Sequence, residues 1–517
     1  MRLAAPFEQA LGRYDDPVLN QSLSQAVAGR AAAAPDQAAY LSENGPLTWS
    51  EYDGAARRLA GSLAARGLAP GDRVAVWLPD SPRLHVAYLA CERAGLITVG
   101  VPERAGNREL THLVATTGAS LLITPSGRAA PGGIPHAVLR GDATLDIPGP
   151  PRTADTDREP VGPDELWLLN STSGTTGLPK CVQQVQRKWS HLASQAIVNA
   201  ALTAADVIMS AVPSPFGYGL WTAHFLPPML GIPCVLRERF DASETLRAAA
   251  AGRVTVLACV TTQLRMMLAS PLITELDWSA LRVTYTGGEH TPPEVLRAWE
   301  RITGSTVLQF YGSNEFGGFS GTALTDGEEA RRTTAGRVLP GVTCRLYDDS
   351  GADVTAAGGP GQPGGTGPGT SRGYYEDPDA DAELFGPGGL QLLPDLVTVD
   401  DGGYVRVSGR KADIIIRGGK NISAATVEAE VAAHPDVAQA AAVSVPDAVY
   451  GERVCAAVTL RDRTTLTLEE LRAFLAGRGV SKEYFPEHVV VLEEMPVSAG
   501  GKVARKELRA TVLASLS

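Results

Sequence analysis

The run Ser171-Thr172-Ser173-Gly174-Thr175-Thr176-Gly177-Leu178-Pro179-Lys180 concentrates groups that bind anions: two glycines, five hydroxyl side chains and a closing lysine. Glycine lets backbone N–H groups converge on one point with no Cβ in the way. The hydroxyls add donors, and Lys180 adds positive charge. Placed after the apolar run Glu165-Leu166-Trp167-Leu168-Leu169, such a loop is suited to hold a polyphosphate. A flexible Ser/Gly linker would need no strand before it. The pattern also differs from the P-loop of kinases and GTPases, because the spacing G-x-x-x-x-G-K-[ST] is absent.

Alternating strand and helix signals surround that loop. Residues 52–66 have a helical apolar period, 73–78 a short apolar strand pattern, and 84–94 a second helical pattern; strand patterns return at 97–101 and 120–124. The rhythm resumes with strand patterns at 207–212, 233–236, 254–260, 281–285 and 306–310. Such alternation predicts parallel sheets covered by helices. Residues 356–373 are rich in glycine and proline and lack any apolar period, which predicts a surface connection. Their G-x-G-x-x-G match (Gly359, Gly361, Gly364) has Pro360 and Pro363 inside it and no strand before it, so dinucleotide binding is rejected. Beyond residue 410, strand patterns at 414–416, 440–445, 455–460 and 488–492 and helical patterns at 424–433 and 468–478 suit a small α+β domain.

At 517 residues the chain is long enough for two or more domains. A formal charge of -11 argues against a nucleic-acid partner. No apolar run approaches the ~20 residues that span a bilayer, and the acidic Glu8 comes too early for a signal-peptide core. A cytoplasmic enzyme without a membrane partner is expected. The six cysteines stand singly, with no C-x-x-C pair, so buried reduced thiols are expected and not a zinc site.

Four later segments accompany the hydroxyl-rich loop. They are Thr286-Gly287-Gly288-Glu289; Tyr311-Gly312-Ser313-Asn314-Glu315; Gly409-Arg410-Lys411-Ala412-Asp413 with Arg417-Gly418-Gly419-Lys420-Asn421-Ile422; and the run from Pro496 through Gly500-Gly501-Lys502 to Leu508. Taken in this order, they resemble the adenylate-forming superfamily of acyl- and aryl-CoA synthetases, nonribosomal peptide synthetase adenylation domains and luciferases. The likeness is nearest to benzoate-type acid–CoA ligases. It implies an α/β fold: a large N-terminal AMP-binding domain of stacked α/β subdomains over 1–409, and a small mobile C-terminal α+β domain over 410–517.

The resemblance also implies a reaction. An oxyanion, usually a carboxylate, attacks the α-phosphorus of ATP and pyrophosphate leaves. Positive charge and donors are needed where the two anions approach. Thr172, Ser173, Gly174, Thr175, Thr176 and Gly177, with Lys180, would grip the phosphates, Thr176 acting in catalysis. Glu315 would be the acid associated with Mg2+, a hard cation that takes oxygen ligands. Tyr311 and Gly312 would lie against adenine, and the backbone at Gly288 and Glu289 along its edge. Asp395 would bind the ribose hydroxyls, although the family's usual Thr-Gly-Asp is Leu393-Pro394-Asp395 here. Arg410 would contact ribose or phosphate and mark the hinge. Lys502 would stand between the incoming oxyanion and the α-phosphate as the catalytic cation.

For the second step the resemblance implies a thiol acceptor, CoA, with Gly418 and Gly419 along its tunnel; the family's hinge Asp or Lys is replaced by Ala412. The segment Pro213-Ser214-Pro215-Phe216-Gly217-Tyr218-Gly219-Leu220 occupies the place of the family's aromatic gate. Phe216, Gly217, Tyr218, Gly317 and Phe319 would line a pocket for a flat ring, which implies a small aryl or cyclic carboxylic acid as substrate. The alternative is a natural-product enzyme that does not use CoA. It would hand an aryl adenylate to an acyl carrier protein or an amine, or activate another oxyanion such as nitrite for diazotization.

Overall fold

The computed structural model describes residues 21–516 apart from 104, 127–129, 131–133, 141–144, 147–157, 172–178, 290, 411–413, 418–419, 448–450, 462–464, 479, 481 and 498–502. The described residues form two compact units. One is built from 21–171, 179–343 and 365–391, the other from 344–364 and 392–516.

Two sheets organise the first unit. A seven-stranded sheet runs, in spatial order, Leu145–Asp146, His136–Leu139, Leu121–Pro125, Arg73–Val76, Ile97–Gly100, Leu166–Ser171, Cys181–Val185. Its centre is parallel, and the outermost pair at each end is antiparallel. A nine-stranded sheet carries a parallel core of Ala38–Ser42, Cys234–Val235, Ile208–Ser210, Val256–Ala258, Val283–Gly287 and Thr306–Ser313, again with antiparallel edges. Central strands such as Val256–Ala258 and Val283–Gly287 are buried along their whole length. That is why Val256–Ala258 reads as a continuous apolar run, while Val283–Gly287 buries Thr284 and Thr286 along with its apolar residues.

The helices follow local chemistry. Trp49–Ala64 begins at a capping box: the Thr48 hydroxyl accepts from Glu51 N while Glu51 Oε2 accepts from Thr48 N. Its buried stripe, Tyr52, Ala55, Ala56, Leu59 and Leu63, follows the helical period. Pro293–Thr303 opens on Pro293 and closes on Gly304 in the left-handed region at φ +71°. The second unit holds a five-stranded sheet whose long antiparallel pair is Val437–Asp447 with Gly451–Leu460. The helices Ala424–Ala432 and Leu468–Gly477 bury Val427, Val431, Leu471 and Leu475 in a core with Ile415, Val454 and Val458. Among the described residues no helix is long and apolar enough to cross a membrane.

The expected strands and helices therefore occur, with one correction. The glycine- and proline-rich stretch is not simply a surface connection: Gln362–Thr366 is a strand whose middle residues Pro363, Gly364 and Gly365 are buried. The glycines are what allow it, since a Cβ on Gly365 would lie 2.9 Å from the Phe316 ring.

A polar cluster interrupts the apolar interior of the first unit. His85 Nδ1 lies 3.0 Å from His224 Nδ1, and His85 Nε2 lies 3.4 Å from Ser214 Oγ and 3.9 Å from Asp80 Oδ1. Tyr40 stacks on His85, and Trp167 stacks on His224. Burial holds both imidazoles neutral, His85 disfavoured further by His224. Burial also pushes the Asp80 carboxyl up to about 7, against hydrogen bonds from Ser214 that favour its charge. An unfolded chain would lose this proton near the ordinary 3.8, so folded stability falls as pH rises through that window and levels off above about 7. Asp80→Asn is therefore expected to raise the melting temperature relative to wild type by more at pH 8 than at pH 5. An equal or smaller gain at pH 8 in paired thermal melts would show that Asp80 is ionised throughout.

Candidate active site

The strand Thr306–Ser313 turns back as Gly317–Gly321, and Asn314 and Glu315 sit at the tip. The turn is tight enough to demand glycine. A Cβ on Gly312 would run into the Gly317 carbonyl oxygen, and Gly317 itself has φ +85°. Just before the tip, the half-buried Tyr311 packs edge-on against Phe319, with ring centroids 5.8 Å apart.

Polar groups hold the tip from several sides. The fully buried Lys188, on the helix Gln186–Asn199, donates Nζ to the carbonyl oxygens of Asn314 (2.6 Å) and Glu315 (2.8 Å). Burial lowers its ammonium to about 7, opposed by the charge of Glu315. Ser371 N also donates to the Glu315 carbonyl at 3.0 Å. On the side-chain end, the Tyr374 hydroxyl donates to Glu315 Oε1 at 2.8 Å. Lys180 Nζ lies over the Tyr374 ring at 5.2 Å and 3.9 Å from Glu383. One carboxylate oxygen of Glu315 is thus fixed in direction. The residue is half-buried, and its carboxylate is a fitting oxygen ligand for magnesium.

The segment Pro213–Gly219 lies beside the same tip. A Cβ on Gly217 would meet the Trp189 ring and stand 3.0 Å from Asn314 Oδ1, so glycine permits this approach. Phe216 is half-buried, and the Tyr218 hydroxyl is buried without a partner among the described residues. Tyr218 contacts Trp221, which packs edge-on against Tyr285 and Phe310. A single π-helical turn, Leu220–Phe225, follows, a feature frequent at functional sites.

Gly288 leaves the strand Val283–Gly287 at φ +80°. The Glu289 carboxylate accepts from Thr262 N (2.9 Å) and Thr262 Oγ1 (3.2 Å), capping the helix Thr261–Ala269 and fixing the backbone at Gly288. In the second unit, Asp395 opens a strand paired with Val405–Arg410 in a register that sets Asp395 opposite Arg410.

The structure thus brings together Lys180, Tyr311, Gly312, Glu315, Phe216, Gly217, Tyr218, Gly317 and Phe319 in the first unit, and Asp395 and Arg410 in the second. Thr172, Ser173, Gly174, Thr175, Thr176, Gly177, Gly418, Gly419 and Lys502 lie outside the described residues. Sequence reasoning missed Lys188 and Tyr374. No local pattern marks a lysine whose Nζ is held by two backbone carbonyls more than a hundred residues away.

With this geometry in place, the comparisons are specific. The chain belongs to the AMP-binding enzyme family: the AMP-binding enzyme domain matches residues 27–375, and the AMP-binding enzyme C-terminal domain matches residues 426–502. A medium-chain fatty-acid–CoA ligase of Escherichia coli (strain K12) is 31% identical over 94% of this chain and 90% of its own. A feruloyl-CoA synthase of an Amycolatopsis species is 31% identical over 95% of this chain and 99% of its own. Among solved structures, the O-succinylbenzoate coenzyme A synthetase MenE of Bacillus subtilis, in complex with ATP and magnesium ion, superposes with a TM-score of 0.82 at 26% identity, covering 93% of this chain and 98% of that one. The protein is an AMP-forming ligase of the acid–CoA ligase kind.

Because a Cβ at Gly312 has no room, Gly312→Ala is expected to destabilise the protein by about 1–3 kcal/mol and to lower ATP–pyrophosphate exchange. Chemical denaturation beside an exchange assay checks this, and unchanged values for both would contradict the tight turn.

Proposed function

We propose that the protein adenylates a small aryl or other cyclic carboxylic acid with ATP, releases pyrophosphate, and then transfers the acyl group to the thiol of CoA. One observation carries the reading: the glycine- and aromatic-rich segment Phe216–Gly219 abuts Asn314, next to Glu315, so an acid held there would lie beside the group assigned to the nucleotide. The names of the feruloyl-CoA and O-succinylbenzoate relatives support a ring-bearing acid and a CoA acceptor.

In this reading Tyr311 covers adenine, the backbone at Gly288 and Glu289 runs along its edge, and Asp395 with Arg410 takes the ribose. The hydroxyls of 172–177 and Lys180 hold the phosphates. Glu315, oriented by Tyr374, holds Mg2+, which when bound offsets phosphate charge. Lys502 reduces the repulsion between the carboxylate and the α-phosphate as the new P–O bond forms and the bond to pyrophosphate breaks. Arg410 is the hinge between a domain of 1–409 and a mobile domain of 410–517, and Gly418 and Gly419 flank the path of the thiol.

The test is ATP–pyrophosphate exchange across a panel of ring and straight-chain acids, followed by intact-mass detection of the thioester. Exchange with a ring carboxylate and a CoA-dependent thioester are expected. Exchange with straight-chain acids alone would overturn the substrate class, and full turnover without CoA on adding an amine would overturn the acceptor. Lys502→Ala is expected to lower the exchange rate by about a hundredfold or more with little change in melting temperature. Near-wild-type exchange by that variant would remove Lys502 from the chemistry.

A further inference from the structure

One imidazole in the first unit bonds on both sides of the glycine- and aromatic-rich stretch. Ser214 comes before Phe216–Gly219, and His224 lies in the π-helical turn that follows it. His85, on the helix Pro82–Arg93, reaches both: its Nε2 lies 3.4 Å from Ser214 Oγ and its Nδ1 lies 3.0 Å from His224 Nδ1. All three residues are fully buried. His85 has its own supports, for Tyr40 stacks on its ring and the Tyr52 hydroxyl donates to its carbonyl at 3.3 Å. Between Pro213 and Gly219 only Ser214 and Tyr218 carry polar side chains, and the Tyr218 hydroxyl has no partner among the described residues. Ser214 therefore supplies the side-chain hydrogen bonds that position the stretch.

Chemistry fixes the direction of these bonds. A carboxylate can only accept, so with Asp80 ionised the single hydroxyl proton of Ser214 goes to Asp80. His85 Nε2 must then donate to Ser214 Oγ. A neutral imidazole has one N–H, so His85 Nδ1 is left to accept from His224 Nδ1. His224 Nε2 becomes a bare acceptor, and it is the ring nitrogen left buried without a partner among the described residues. An apolar side chain at 85 would leave both nitrogens of His224 unpaired and Ser214 tied to Asp80 alone. In a dry interior such a loss is costly, so the intact chain of bonds holds the stretch to one conformation.

We propose that His85 is a positioning residue for the acid substrate: by holding Ser214 and His224 it fixes Phe216–Gly219 in the shape that receives the ring. The inference rests on the reading that the acid lies against that stretch. The hairpin tip of Asn314 and Glu315 has separate anchors, since Lys188 Nζ and Ser371 N hold its carbonyls. Loss of the His85 bonds therefore weakens capture of the acid and spares capture of ATP.

The experiment is ATP–pyrophosphate exchange with benzoate, cinnamate and 1-naphthoate, acid and ATP each varied while the other saturates. With whichever of these wild type uses best, His85→Phe, which keeps a ring against Tyr40 but makes neither bond, should raise KM for the acid about tenfold or more and leave KM for ATP within about twofold. Ser214→Ala removes one hydroxyl, should move the acid KM in the same direction, and decides the matter if His85→Phe does not fold. The two changes together should raise the acid KM by less than the product of the single effects, because they share one link. If wild type exchanges with none of the three ring acids, the substrate reading fails and takes the inference with it. If ring acids exchange but the variants lose maximal rate with both KM values unchanged, or raise both KM values alike, His85 serves stability alone and the inference is overturned. Single effects that multiply in full would show that His85 and Ser214 act separately, which also overturns it.

Discussion

A buried ammonium with two backbone carbonyls as its partners is the constraint on which the site depends. Taking the Lys188 charge out of water is costly unless hydrogen bonds replace its hydration. The carbonyls of Asn314 and Glu315 supply that replacement at 2.6 and 2.8 Å. The exchange works in both directions: the hairpin tip keeps Lys188 satisfied, and Lys188 keeps the tip from drifting toward solvent. Glycines at 312 and 317 let the chain fold back closely enough for both carbonyls to face one side. Tyr374 then needs to make only one hydrogen bond to aim a carboxylate whose backbone is already fixed.

The Pro213–Gly219 segment is anchored in a similar way by buried polar groups. Ser214 bonds the buried Asp80 and faces His85, while His224, at the far end of the π-helical turn, faces His85 through its Nδ1. The segment and the π-helical turn that follows it thus meet at a single imidazole. A segment of glycine and aromatic residues would otherwise have few directional bonds to hold its shape. The cluster supplies them in a dry interior, where each is stronger than in water.

The sequence made some of this legible and hid the rest for physical reasons. Parallel strands such as Val256–Ala258 announce themselves because both faces are buried and the run is apolar throughout. The candidate tip was legible because Tyr311, Gly312 and Glu315 stand next to one another. Gln362–Thr366 was misread as surface because Gln-Pro-Gly-Gly-Thr carries no apolar period, although its glycines allow close packing as a strand. His85, Lys188 and Tyr374 carry no local signal at all. Each is an ordinary polar residue whose meaning lies in a partner 59 to 139 positions away. Chemistry that repeats within a few residues could be read, whereas chemistry assembled by topology could not.

The central claim is that the acid's own oxygen attacks the α-phosphorus of ATP. Turnover of a carboxylate labelled with heavy oxygen, followed by mass analysis of the nucleotide product, tests it most directly. One acid-derived heavy oxygen in AMP is the expected result, since the thiol expels AMP together with that oxygen. Unlabelled AMP, or ADP with the label in inorganic phosphate, would contradict it.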